Sequence, residues 1–211
     1  MKLLKAVAIT IMLLLIISQA APAQIYDAVK DFSIVSNPNG VWSYGYLASW
    51  GAPFTLYTWE GTCFTGMNTW MEPPGCGPSP SVSHNGTGKQ FCAQTWCFPP
   101  SYLGTSPGPN GELTVIRWTA PSSGTFVMRV KFVGMDWYFP TSTYVYVVRN
   151  SQRLLLQAPI TSYEWPLLFY PEPIKLFAGD TIDLMVDWGK DGSYIGDSTG
   201  AELKIWSLGQ H

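Results

Sequence analysis

Residues 111–134 read GELTVIRWTAPSSGTFVMRVKFVG, and this stretch decides the fold class. Its first half carries branched and aromatic residues at Leu113, Val115, Ile116 and Trp118, and Pro121-Ser122-Ser123-Gly124 supplies a turn. In the second half Phe126, Met128, Val130 and Phe132 alternate with polar or small neighbours that include Arg129 and Lys131. A period of two across a Pro/Gly turn predicts two antiparallel strands, each with one buried face, paired as a hairpin.

The remainder follows the same period. Strands are expected over 28–35, 41–46, 54–59, 143–149, 153–158, 174–177, 181–188 and 201–206, with turns at Asn150-Ser151-Gln152 and Ala178-Gly179-Asp180. Outside the N-terminus no stretch of comparable length has helical period. About ten short strands with Pro and Gly between them predict an all-β, two-sheet antiparallel β-sandwich, a jelly roll.

Residues 1–23 read as a signal peptide. Lys2 and Lys5 precede an apolar run that is short of the roughly 20 residues a spanning helix needs, and Ala21-Pro22-Ala23 offers a cleavage site before Gln24. The expected mature chain, 24–211, is a single exported domain without a membrane span. Losing Lys2 and Lys5 leaves ten basic residues against 14 acidic ones, a net charge of −4. With no basic patch, nucleic acid is excluded as a partner.

Segment 61–110 breaks the pattern. It is rich in Pro, Gly and Ser and holds all four cysteines, Cys63, Cys76, Cys92 and Cys97. Two short strands are expected inside it, near 81–85 and 90–92. An even, clustered set of cysteines in an exported chain predicts two disulfides that hold an otherwise irregular segment. The local pairs Cys63–Cys76 and Cys92–Cys97 are favoured among three connectivities, and a four-thiolate zinc site is the competing reading.

Several stretches in order resemble a known family: DFSIVSNPNGVWSYG (31–45), SVSHNGTG (81–88), PGPNGELTVIRWTAPSSGTF (107–126), TSTYVYVVRN (141–150), LFAGDTIDLMVDWG (176–189) and GDSTG (196–200). Together they resemble an uncharacterised domain of secreted bacterial proteins that often carry a C-terminal PEP-type sorting signal. The resemblance implies a galactose-binding-like jelly roll, an architecture shared with many carbohydrate-binding modules, and it assigns no activity. The chain departs from the family at Ser106, where a His is expected, in lacking the sorting tail, and in two loops that are aromatic here instead of small and polar.

Those loops are the candidate site. Trp137-Tyr138-Phe139 interrupts the link between two strands, and Tyr163, Glu164, Trp165, Phe169 and Tyr170 lie in the next long connection. Aromatic rings in loops either fold down to cap the core or bind something. Two such loops in succession favour recognition, with Trp137, Tyr138 and Trp165 stacking on sugar rings and Asp136 and Glu164 bonding hydroxyls. The expected partner is an extracellular glycan or another exported protein. Enzymatic activity is not expected: His84 reads as a structural loop residue. Asp183 and Asp187 read as the solvated side of a strand, which leaves a glycoside hydrolase as the weaker alternative. A carboxylate-rich turn with Asp191 and Asp197, joined by Asp31 from the first strand, is the candidate for a structural calcium, and no other cofactor is expected.

Overall fold

The computed structural model describes residues 24–73, 75–139, 141–163 and 165–208. The expected leader and the C-terminal residues 209–211 lie outside them. The strands are β1 (Ile25–Asp27), β2 (Trp42–Leu47), β3 (Thr55–Leu56), β4 (Trp59–Phe64), β5 (Met67–Met71) and β6 (Ser81–Asn85). Next come β7 (Phe91–Ala93), β8 (Trp96–Phe98), β9 (Leu103–Ser106), β10 (Leu113–Thr119), β11 (Gly124–Gly134) and β12 (Tyr144–Arg149). The last five are β13 (Arg153–Pro159), β14 (Leu167–Phe169), β15 (Ile174–Leu176), β16 (Thr181–Val186) and β17 (Thr199–Leu208). No helix occurs among the described residues.

Two antiparallel sheets form the sandwich. The first runs β14-β11-β17-β9-β6-β5-β4, with β1 also on β17 and β15 also on β11. The second runs β13-β12-β16-β10-β2-β3, and β7 and β8 make a separate hairpin. The fold is the expected all-β jelly-roll sandwich. Its core lies between the sheets, where Phe126, Met128, Val130 and Phe132 of β11 face Trp42, Tyr44, Ile116, Trp118 and Leu184.

The decisive stretch folds differently from its expected pairing. β10 and β11 are both strands with the predicted buried faces, but they do not pair with each other. β10 pairs with β2 and β16, whereas β11 pairs with β17, β14 and β15. The turn at Pro121–Ser123 carries the chain across the sandwich. It is braced by the β15–β16 crossing, where the Gly179 N–H donates to the Ala120 carbonyl and the Ala120 N–H to the Asp180 carbonyl. Trp118 and Phe126 therefore meet across the core, edge to face at 5.2 Å. An arch buries both faces against each other, which a flat hairpin cannot do.

Two further expectations are corrected. Residues 28–35 form turns that follow β1, because the Asp27 carboxylate accepts the Val29 and Lys30 N–H groups and curls the chain. Segment 61–110 holds more strand than expected: nearly half of it forms β5 to β9 and the end of β4. Trp70 and Val82 point into the core from β5 and β6, and alternate residues point outward. The short strands β5, β6 and β9 are held because each pairs on both sides, whereas β4 pairs only with β5, and β7 with β8.

The disulfides join Cys63 to Cys76 and Cys92 to Cys97, with Cα separations of 5.1 and 4.1 Å. The second closes the β7–β8 hairpin, which lies over the outer face of the first sheet. There Phe98 covers Gly104, where a Cβ would land in the Phe98 ring. Phe98, Met67, Val133 and Met135 make a small second core, flanked by Phe91, Trp96 and Tyr102.

On the second sheet's outer face, Asp183 is fully buried, contrary to the solvated position expected. Arg117 chelates it through Nε at 2.7 Å and Nη2 at 2.8 Å, and the guanidinium sits 4.0 Å above the Phe54 ring. The Asp187 carboxylate accepts the Tyr146 hydroxyl at 2.6 Å and the Tyr144 and Gly189 N–H groups.

Candidate functional site

The outer face of β5, β6 and β9 forms the floor of a groove of about 520 Å³. The register explains its chemistry. Trp70 pairs with Val82 and both point inward, so their neighbours Thr69, Ser81 and Ser83 point outward, and Ser106 pairs with Ser81. The floor is a row of hydroxyls, with Thr69 and Ser83 2.9 Å apart.

The walls are aromatic and stapled. On one side stands the β7–β8 hairpin, contributing Gln94, Thr95, Trp96 and Phe98. Trp96 is fixed in a ring cluster, 4.8 Å from Phe98 and edge-on to Phe64 at 5.2 Å. The Cys63–Cys76 loop lines another part, and Phe139 with Tyr194 and Ile195 closes the far end. Gly196 adopts φ +85°, and a Cβ there would strike the Phe139 side chain, so only glycine lets the two rim loops meet.

The aromatic loop is attached to this rim. Trp137 is 54% exposed and Tyr138 65% exposed. The three consecutive rings stand edge to face, Trp137–Tyr138 at 5.9 Å and Tyr138–Phe139 at 4.9 Å, so they form a ridge and not a flat platform. The loop is held from below by Asp136. That side chain, expected to face a ligand, is only 3% exposed. Its Oδ1 accepts the Tyr138 N–H at 3.1 Å and the Phe139 N–H at 2.8 Å, while Oδ2 accepts the Thr95 hydroxyl at 2.7 Å. Backbone bonds from Trp137 to the Thr95 carbonyl and from Cys97 to the Met135 carbonyl complete the joint between loop and hairpin. Asp136 is thus an anchor that aims the rings.

Trp165, 79% exposed, stands apart from this ridge. Its neighbours Tyr163 and Pro166 line a second cavity of about 330 Å³ with Tyr102, Met135 and Cys97. No ring pair joins Trp165 to Trp137 or Tyr138 among the described residues. Glu164 lies outside those residues.

The proposed calcium ligands are not brought together. Asp31 Oδ2 accepts the Asp27 N–H and the Trp42 indole N–H, each at 3.0 Å. Asp27 pairs with Lys204, five residues along β17 from its first residue Thr199, roughly 17 Å at about 3.3 Å per residue, and Asp197 precedes that strand. Asp191 is exposed and accepts the Ser193 N–H. Asp197 is 1% exposed. No group of three or more His, Cys, Asp or Glu able to hold a metal occurs among the described residues.

His84 sits on β6, packed 5.5 Å from the Phe32 ring, where burial pushes its pKa below the ordinary value. Asn85, which begins an Asn-Gly-Thr sequon, is buried and donates its amide to the Lys89 and Phe98 carbonyls. The sequence reading missed Trp96, Tyr194 and the hydroxyl floor. The alternation of Ser81 and Ser83 around Val82 was the available signal for the floor.

No family model matches this chain, and no curated protein matches it. Among solved structures, it is similar to a family 35 carbohydrate binding module from an environmental isolate, at 12% identity and TM-score 0.34, over 79% of this chain and 93% of that one. It is similar to the GH26-CBM35 β-(1,4)-mannanase of Podospora anserina at 14% identity and TM-score 0.35. That match covers 69% of this chain, which spans about a quarter of the mannanase (28%). It is also similar to Pika GITRL at 14% identity and TM-score 0.30, over 65% of this chain and 95% of that one.

Proposed function

We propose that the protein is an exported, non-catalytic recognition module that binds an extracellular glycan in the groove, with Trp137 and Tyr138 at its rim. The observation that carries this reading is the meeting of two features at one place. A cleft floored by hydroxyls is lined by Asp136 and Phe139, and between these two in the chain stand the exposed rings of Trp137 and Tyr138. Exposed rings in a loop are costly unless they have a partner, and here Asp136 holds them out instead of letting them cap the core. Aromatic faces accept the apolar C–H face of a sugar, and hydroxyls on the floor can donate to and accept from its hydroxyls. The volume lies within the roughly 300–1,000 Å³ usual for small-ligand sites.

Support for a non-catalytic role comes from the lining. Asp136 is its one carboxylate among the described residues, and both its oxygens are already engaged. A glycoside hydrolase needs two carboxylates across the scissile bond. Export is supported by two disulfides, which persist in oxidising compartments.

A second reading is a self-associating matrix protein, favoured by β14. It is an edge strand carrying the exposed Leu168, flanked by the exposed Trp165 and Tyr170, and such edges pair readily with a second chain. Affinity electrophoresis and a glycan array with the native chain and Trp137→Ala separate the two. Binding that is lost in a folded Trp137→Ala supports the module. Concentration-dependent sedimentation without glycan binding favours the matrix protein.

A further inference from the structure

We infer that the groove selects an uncharged glycan and rejects acidic ones; this rests on the glycan reading above and narrows it to a substrate class. The lining offers hydroxyls from Thr69, Ser81, Ser83 and Ser106, the Gln94 amide and the Trp96 ring. Lys, Arg and His are absent from the described lining. Uronates and sulfated sugars carry an anion that must shed water on entering, and without an opposing charge that desolvation is unfavourable. The fixed charge that does lie there, Asp136, has the wrong sign and repels an anion.

Three cations on the same outer sheet face are already committed further along it. Arg129 and Lys131 of β11 both pair with Glu202, the latter at 3.6 Å, and Lys204 pairs with Asp27 at 2.8 Å. None of them lines the groove. A net-negative chain adds no steering toward polyanions. A neutral sugar meets none of these obstacles. Its hydroxyls are donors and acceptors in turn, as are those of the floor, and its C–H face suits Trp96 and the Trp137–Phe139 ridge.

The test is a panel of soluble polysaccharides on the native chain, read by affinity electrophoresis and calorimetry at low and physiological salt. The neutral arm holds mannan, xylan, mixed-linkage glucan and galactan; the acidic arm holds polygalacturonate, alginate and heparin. The expected result is binding within the neutral arm that is nearly independent of salt. Oxidising the primary hydroxyls of a bound hexose polymer to carboxylates should then weaken it about tenfold or more. Acidic polymers bound as tightly as neutral ones, or an oxidised polymer bound without loss, would overturn the charge selection and leave the glycan reading standing. Binding to no member of either arm would overturn both.

Discussion

Asp197 and Ser142 tie the beginning of the last strand to the far side of the aromatic loop: Asp197 Oδ1 accepts the Ser142 N–H at 2.9 Å and its hydroxyl at 3.3 Å. The other oxygen, Oδ2, is buried without a hydrogen-bond partner. Burial is the main reason that the carboxyl is pushed up to about 7, and the Asp191 and Asp187 charges push the same way against the Ser142 bonds. A buried carboxylate without a counter-charge favours its neutral form.

The sign of the resulting pH dependence follows. An unfolded chain releases this proton near 3.8, the folded chain near 7. Between those values the folded state holds more protons, so Asp197 contributes stability that is full below about 4 and fades as pH rises through 7. Asp197→Asn keeps an acceptor for Ser142 and removes the charge. It should raise the stability at pH 8 by on the order of 1–3 kcal/mol and change little at pH 4. Paired thermal melts measure this, and equal melting temperatures at pH 8 would refute it.

The two disulfides should matter unequally. They close loops with sequence separations of 13 and 5 residues, which by chain entropy correspond to about 3 and about 2 kcal/mol. The smaller one holds the lid that forms a wall of the groove. Cys92→Ser with Cys97→Ser should therefore lower the melting point modestly but expose 88–98 to proteolysis first. Limited digestion followed by mass spectrometry reads the order of cleavage, and first cuts elsewhere would count against the hairpin as the loosest wall.

Gly104 gives a sharper test of the same lid. A side chain there collides with Phe98, which cannot retreat while Trp96 packs against it. Gly104→Val should destabilise the fold by about 1–3 kcal/mol. Its characteristic sign is a Trp96 environment that becomes wetter, seen as red-shifted fluorescence relative to the same substitution in a Trp96→Phe background.

How much of this was readable beforehand depends on what each residue's neighbours are. The alternation of Phe126, Met128, Val130 and Phe132 named the buried face correctly, because that face depends only on the pleat. It could not name the sheet. Pro121–Gly124 suits a hairpin and a crossing equally, and the choice was made by Trp118 meeting Phe126 and by the bonds from the distant 179–180 turn. Asp183 reads as solvated until Arg117, 66 residues earlier, closes over it. Trp137 and Tyr138 stood out as rings in a loop, whereas Ser81, Ser83 and Thr69 became a floor only once β5, β6 and β9 lay side by side. Hydroxyl residues are common in loops and strands alike, so the alternation of Ser81 and Ser83 around Val82 marks an outward face but not a groove.

The last prediction separates the ring that meets water from the carboxylate that aims it. Trp137 is more than half exposed, and its ring contact is with the still more exposed Tyr138. Trp137→Ala should therefore leave stability within about 0.5 kcal/mol of the native chain while removing most glycan affinity, as loss of an aromatic hot spot commonly costs about 2 kcal/mol or more. Asp136 is buried and holds two loop N–H groups and the Thr95 hydroxyl. Removing it leaves those donors unsatisfied at about 1–3 kcal/mol each when fully buried. Asp136→Ala should lower both stability and affinity, and saturating ligand should restore part of the lost melting temperature by mass action. Were Asp136→Ala to melt like the native chain while losing affinity, the carboxylate would be a ligand contact after all, and the loop would need another anchor.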